Sequence, residues 1–333
     1  MTPFNIAYDA YLKYCKNGVL KLSSYLDRIT IFNSFICPIF ATTNIEDITK
    51  EDLKNWQTGL DKYSYKYKSK IRGFMFNFLK FCEYEYGIVN QLKFVWAFSK
   101  DKYKKKTKFN IYSENEYLRL MAKIDNLEDK TIFNLLYLCQ LRKGELCALT
   151  WNDYLKNKKF LDVNKTFSRV NNYVDETAIK SYESKIINYY ITGKVVYILQ
   201  TPKSANSLRQ VALPKSSIDL LDALYKEHKQ RDNFSVNDFI FGKQNSFLKY
   251  STLTNRFEKY QKRARLKKIR LHDLRHSGVS YLINSYSGEF SKNSLHLAYV
   301  IAERIGDTVE QVLLTYGHLF GDEQLNLIND IDI

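Results

Sequence analysis

The chain has 333 residues, enough for two domains, and its 51 Lys and Arg against 36 Asp and Glu give a formal net charge of +15. A hydrophobic content of 45%, with only 12 Gly and 4 Pro, excludes a disordered basic tail, a collagen-like chain and a Pro-rich low-complexity chain. Cys15, Cys37, Cys82, Cys139 and Cys147 form no Cys-x-x-Cys pair, which argues against a disulfide framework or structural zinc and predicts small apolar core residues in a reducing compartment. No apolar run reaches about 18 residues, and Met1 to Asp9 lacks a basic segment followed by an apolar core. A cytoplasmic chain without a membrane partner is expected. The excess of positive charge points to a polyanion, nucleic acid ahead of an anionic membrane surface.

In chain order, residues 5–90 read as a small helical bundle. Thr49 to Gln57 predicts a helix anchored by Leu53 and Trp56 and stopped at Gly59. Ile71, Phe74, Phe78, Phe81 and Tyr84 follow the spacing of one helix face, with Lys66, Lys68, Lys70 and Arg72 crowding its start. Lys100 to Lys108 has six Lys in nine residues, Lys102, Lys104, Lys105 and Lys106 among them, and reads as an extended basic linker. Ser113-Glu-Asn-Glu116 fits a capping box opening a helix with Tyr117, Leu118, Met121 and Ile124. A second apolar helix covers about Thr131 to Leu141.

The texture then changes. Lys159 to Phe167, Lys194 to Thr201 and Leu208 to Leu213 read as strands, with Lys203 to Ser207 as the turn of an antiparallel hairpin. From Lys215 to Tyr316 the pattern is helical again. Residues 256–270 carry Arg256, Lys259, Lys262 and Arg263 among eight basic residues, against the single acid Glu258. After His318 the sign reverses: Asp322, Glu323, Asp330 and Asp332 flank an apolar stripe of Leu325, Leu327, Ile328 and Ile331. The expected architecture is mainly α with a small antiparallel sheet. The expected boundaries are a helical bundle with a basic side at 1–98, a linker at 99–110, a second domain, mostly α with the small sheet, at 111–321 and a tail at 322–333.

Four segments bear chemistry: Gln140 to Asp153, Thr201 to Val211, Leu271 to Ser277, and Glu303 to Asp307 with Thr315 to Leu319. Together they offer two Arg, whose planar forks match phosphate oxygens (Arg142, Arg275), a Lys and two His, of which a Lys or a His can move protons (Lys203, His272, His276), and a Tyr whose hydroxyl can be a covalent nucleophile (Tyr316). His272 and Arg275, three residues apart, share a helix face. No carboxylate cluster suits a two-metal site and no Gly-rich phosphate loop is present, so no metal or cofactor is expected.

On these residues the sequence resembles a tyrosine recombinase of the phage-integrase family, of the kind carried by phages and integrative elements of Gram-positive bacteria. The signature Leu-Arg-x-Gly-Glu-Leu-x-x-Leu-x-Trp-x-Asp stands at Leu141 to Asp153, His-x-Leu-Arg-His at His272 to His276, and Tyr-x-His-Leu at Tyr316 to Leu319. The resemblance implies a helical core-binding domain followed by a tyrosine-recombinase catalytic domain. It implies that Arg142 and Arg275 clamp the scissile phosphate and Tyr316 attacks it, giving a 3′-phosphotyrosine. Lys203 would protonate the leaving 5′ oxygen, His272 would assist proton transfer at the tyrosine or phosphate, Glu145 would hold Arg142, and His276 would buttress the site. The implied partners are double-stranded DNA with specific recombination sites, contacted by the basic residues named above, three further protomers of a homotetramer, and an excisionase or host DNA-bending factor.

Two features depart from the family pattern. Asp307 stands where the family usually has His or Trp; an ionised Asp accepts hydrogen bonds only, and is expected to hold His272, Arg275 or nearby backbone. The core-binding helices also start almost at once, so either no arm-type sites are needed or an arm-binding domain is missing from this chain. A type IB topoisomerase-like enzyme and a catalytically silent DNA-binding protein of the same fold remain as alternatives.

Overall fold

The computed structural model describes the chain apart from residues 17–19, 21, 100–109, 172–185, 194, 203, 244–245, 287–293 and 321–333. The predicted basic linker with Lys102, Lys104, Lys105 and Lys106, the lysine Lys203 and the tail 322–333 therefore lie outside the described residues. The chain divides into two compact units, residues 1–106 with 169–185 and 191–196 in one, the remainder in the other.

The first unit holds α1 (Phe4–Lys16), α2 (Leu22–Ile31), α3 (Cys37–Phe40), α4 (Lys50–Thr58) and α5 (Tyr65–Tyr86). Aromatic rings fill its centre: Phe78 of α5 lies 4.9 Å from Phe4 and 5.5 Å from both Tyr11 and Phe32, ring centre to ring centre. Between α2 and α3 the backbone widens into a π-turn at Phe32–Ile36, where Cys37 N donates to Phe32 O. Pro38 follows directly; it has no N–H to donate and its ring clashes with a carbonyl one turn back, so the helix yields just before it. The predicted α4 is present, capped by reciprocal bonds between Thr49 and Asp52, ended at Gly59, and pinned by Trp56 Nε1 donating to Phe35 O at 2.8 Å. The expected stripe on α5 is only partly right. The buried face is Ile71, Met75, Phe78, Leu79 and Cys82, while Tyr84 is 91% exposed. Over the six turns of this helix the core follows 3.6-residue spacing, which carries Tyr84 off the buried side.

The second unit begins with α6 (Glu114–Met121), opened by the expected Ser113–Glu116 capping box, followed by α7 (Leu127–Leu138) and α8 (Lys143–Ala148). Strands β1 (Tyr154–Leu155), β2 (Phe160–Val163) and β6 (Arg209–Ala212) form one sheet in that order, with Leu161 opposite Val211 and Val163 opposite Arg209. Strands β3 (Thr166–Asn171), β5 (Val195–Gln200) and β4 (Ile186–Thr192) form another, whose residues 169–171, 191–192 and 195–196 count with the first unit. This corrects the predicted hairpin. β5 and β6 belong to different sheets, so residues 201–208 cross from one to the other. The ladder of β6 runs to β2 and continues through Leu213 N donating to Lys159 O.

Helices α9 (Lys215–Lys229), α10 (Tyr250–Arg263), α11 (Leu271–Tyr286), α12 (Ser294–Ile305) and α13 (Val309–Tyr316) complete the unit. α11 is buried along most of its length, and Gly278 lets it approach α7 closely: a Cβ there would sit 1.8 Å from Tyr137 O. Among the described residues no helix is long and apolar enough to cross a membrane.

Candidate active site

The site is assembled from the ends of four elements of the second unit. Arg142 is the N-cap residue of α8. Glu145, one turn on, accepts from Arg142 N at 2.8 Å and Arg142 Nη1 at 2.9 Å, so a single carboxylate caps the helix and aims the guanidinium. Arg142 Nη2 donates to Gly306 O at 2.8 Å and lies 3.4 Å from Asp307 Oδ2. Among its expected partners Asp307 takes the nearby backbone, its Oδ1 accepting from Thr308 N at 3.0 Å, while Oδ2 pairs with Arg142. Gly306 has φ +65, the left-handed region that favours glycine, and turns the chain from α12 toward α13.

Arg275 of α11 is 4% exposed. Its Nη1 donates to Gln140 O and its Nη2 to Ile305 O at 2.8 Å. Burial, then the neighbouring Arg142 cation, push its guanidinium down to about 10, so the cluster favours an incoming anion. Gln140 has φ +47, unusual for a non-glycine residue. It is fixed by Nε2 donating to Tyr137 O at 2.7 Å and by Arg304 Nε donating to its Oε1 at 2.8 Å. Gln140 and Arg304 lie within the motifs, and their role shows only in their partners.

Arg209 was missed in the same way. Its guanidinium grips Glu145 bidentately, Nη2 to Oε2 at 2.9 Å and Nη1 to Oε1 at 3.1 Å, while Nε donates to Arg304 O. Burial would raise the Glu145 carboxyl, but the hydrogen bonds and charge of Arg209, then Arg275 and Arg142, hold it below the ordinary carboxylate range. The available sequence signal was the alternation of β6, in which Arg209 takes an inward position beside Val211.

Arg142, His272, Arg275, His276, Asp307 and Tyr316 line one small cavity of about 140 Å³. Tyr316, the last residue of α13, is 3% exposed and packs with Val279, Ile283, Ile301 and Val312. Its hydroxyl lies 2.5 Å from His276 Nδ1. Burial pushes the phenol up to about 12, with Arg275 opposing. Burial, then His272 and Arg275, push His276 down to about 4. His272 stands at the rim with its ring edge-on to His276, 4.7 Å between centres, and burial followed by the Arg275 cation lowers it too. Pro202, Ser204 and Asn206, which bracket position 203, line a neighbouring cavity with Arg142 and Asp307. Among the described residues no group of three or more His, Cys, Asp or Glu could hold a metal ion.

The candidate DNA contacts divide. Lys66, Lys259, Lys262 and Arg263 are exposed. Lys68 pairs with Asp61 and lies over the Phe98 ring, and Lys70 pairs with Asp27. Two of these residues have internal partners. Arg72 donates from Nε to Gln57 and from Nη2 to Leu92 O and Val95 O, tying the segment after α5 to α4. Arg256 Nη1 is spent on Glu128 at 2.5 Å and Asp129 at 2.8 Å. Both cations serve internal acceptors because carbonyls and carboxylates close around them in the fold, which the sequence pattern does not show.

Residues 111–288 match the phage integrase family, and residues 4–60 match the N-terminal SAM-like domain of phage integrases. The chain belongs to the phage integrase family, as its motif order indicated. It is 27% identical over 238 residues to the ICEBs1 integrase of Bacillus subtilis (strain 168), covering 69% of this chain and 55% of that protein. It is 27% identical over 189 residues to a XerC-like tyrosine recombinase of Caldanaerobacter subterraneus, covering 53% and 44% respectively. The matches therefore span about half the length of these curated relatives. In fold, the chain resembles the Tn1549 transposon integrase solved with transposon right-end DNA (TM-score 0.71, 15% identity, 100% of both chains). It also resembles the lambda integrase tetramer on a Holliday junction (TM-score 0.60, 15% identity, 92% of this chain and 76% of that one).

Proposed function

We propose that the protein is a site-specific DNA recombinase that integrates or excises a mobile element through a 3′-phosphotyrosine on Tyr316. The observation that carries this reading is the convergence of Arg142, Arg275, His272 and the Tyr316 hydroxyl on one cavity. Arg142 and Arg275 hold the phosphate oxygens; preorganised donors of this kind contribute about 2.7–4 kcal/mol each when charge develops in the transition state. His272, at the rim, donates to the same phosphate. Tyr316 Oη attacks phosphorus in line with the 5′ oxygen, which leaves after protonation by Lys203. Asp307 orients Arg142 and does not touch the phosphate. The phosphotyrosine keeps the energy of the phosphodiester, so religation needs no external energy source.

Likeness to integrases held on transposon-end DNA and on a Holliday junction supports DNA as substrate and a homotetramer as the working assembly. Residues 1–98 and residues 111–321 would each contact the duplex, with the work done in the cytoplasm at the nucleoid. An apolar groove of about 840 Å³ in the second unit, lined by Tyr281, Leu297, Val300 and Ile301 among others, suits the apolar stripe of the tail 322–333 of a neighbouring protomer. A directionality factor such as an excisionase would be an additional partner.

The test is recovery of covalent protein–DNA adducts from a library of nicked duplexes. The wild-type chain should yield adducts with a single enriched site. Tyr316→Phe should bind the same DNA and yield none; adducts at normal yield from that variant would overturn the assignment.

A further inference from the structure

We propose that His276 takes the proton of the Tyr316 hydroxyl as the phosphotyrosine bond forms, and returns it when the strand is rejoined. The inference rests on the recombinase reading above and assigns the nucleophile's proton, which the motif pattern left to His272.

The geometry is direct. His276 Nδ1 lies 2.5 Å from Tyr316 Oη, in direct hydrogen-bond contact, and the two rings are 5.7 Å apart centre to centre. The contact joins α11 to the end of α13. The same helix turn sends Arg275 into the cavity, which aligns the acceptor for the proton with the cation for the phosphate. A base must be within hydrogen-bond reach of the proton it removes, and this imidazole is.

The surrounding charges explain why the pair rests with its proton on oxygen. His272, Asp273 and Arg275 face His276 from its own helix, and Arg142 and Asp307 share the cavity. The imidazole is driven neutral and can offer Nδ1 as an acceptor, while burial keeps the phenol protonated. A phosphate seated between Arg142 and Arg275 would offset their positive charge, which makes a proton on His276 less costly. The acceptor therefore becomes competent when substrate is bound.

The step balances as follows. The Tyr316 Oη–phosphorus bond forms and the phosphorus–O5′ bond breaks. The Tyr316 proton passes to His276 Nδ1, and the electron pair of the broken bond stays on O5′, which takes a proton from the Lys203 ammonium. In the reverse step the 5′ hydroxyl attacks, its proton returns to Lys203, and the phenolate leaves by recovering its proton from the His276 imidazolium.

The experiment uses the full chain and a nicked suicide duplex bearing the site enriched by the wild-type protein. Single-turnover adduct formation is measured on the DNA-bound fraction, so a folding loss in one variant does not register. His276→Ala should slow it by about 10²-fold or more, the usual weight of a proton-transfer group. His276→Gln should be similarly slow, because an amide oxygen accepts a hydrogen bond but does not take the proton. A ring-fluorinated tyrosine at position 316, whose phenol is more acidic, should narrow the His276→Ala deficit by about tenfold. A duplex with sulfur at the bridging 5′ position should not narrow it, since the leaving group is not at fault. Wild-type rates in both variants, full recovery by Gln, or a deficit indifferent to the fluorinated tyrosine would overturn the inference while leaving the recombinase reading intact. A wild-type chain that forms no Tyr316 adduct would overturn both.

Discussion

Arg209 and Glu145 form a bidentate ion pair in which each side chain is only 3% exposed. One carboxylate thereby joins β6 to the start of α8 and, through Arg142, to the segment at Gly306. Removing one partner of such a pair strands the other charge in the interior, at a cost of about 3–5 kcal/mol. Arg209→Ala should lower stability by that order in denaturant titration and should also slow cleavage. Arg209→Lys, which keeps the charge but not the fork, should lie between. A variant with unchanged midpoint and rate would show that Glu145 is satisfied by Arg142 alone.

Lys203→Ala tests the leaving-group proton. Cleavage of ordinary DNA should fall steeply, and a bridging 5′ sulfur should restore it, because a thiolate departs without protonation. Equal loss on both substrates would remove Lys203 from that role. The pattern is the reverse of that expected for His276, so the two positions are separable with one pair of substrates.

His228 offers a pH test away from the site. It is buried, accepts from Trp151 Nε1 at Nδ1, and is driven from 6.5 down to about 4 by burial and then Arg231. A histidine whose folded value is depressed binds protons more readily unfolded. Its stabilising contribution is full above 6.5 and is lost as pH falls toward 4, amounting to no more than about 3 kcal/mol. Stability followed by tryptophan fluorescence should decline across that window. His228→Asn, with no proton to gain, should flatten the slope, whatever its effect on the absolute value.

Deleting residues 322–333 tests the neighbour groove. Binding to a single duplex site should be unchanged, whereas assembly of two duplexes, seen by native gel or light scattering, should be impaired. Filling the groove from the other side by Val300→Trp should have the same effect. Full-rate recombination with normal assembly by the truncated chain would leave the tail without this role.

Much of the chemistry was legible because it is local. A capping Ser113 or Thr49 and its acid three residues on must meet across one helical turn, and they do. His272, Arg275 and His276 occupy one turn of α11, so spacing alone put them together. The motif order carried the family, and the family carried the nucleophile.

What spacing could not decide was which distant groups close the site. Arg209 reaches Glu145 across 64 residues, and Arg275 reaches Gln140 O across 135. Arg72 and Arg256 look like phosphate contacts along the chain until internal acceptors surround them. The β5–β6 crossover was misread for a related reason: alternation identifies a strand and its inward face but not the strand it pairs with. The sequence by itself determined the capped helices, the motifs and their order, because these follow from contacts within a turn or from motif spacing. Tertiary structure alone decided that His276 meets the Tyr316 hydroxyl and that Asp307 attends Arg142, because those contacts depend on how α8, α11 and α13 converge in space.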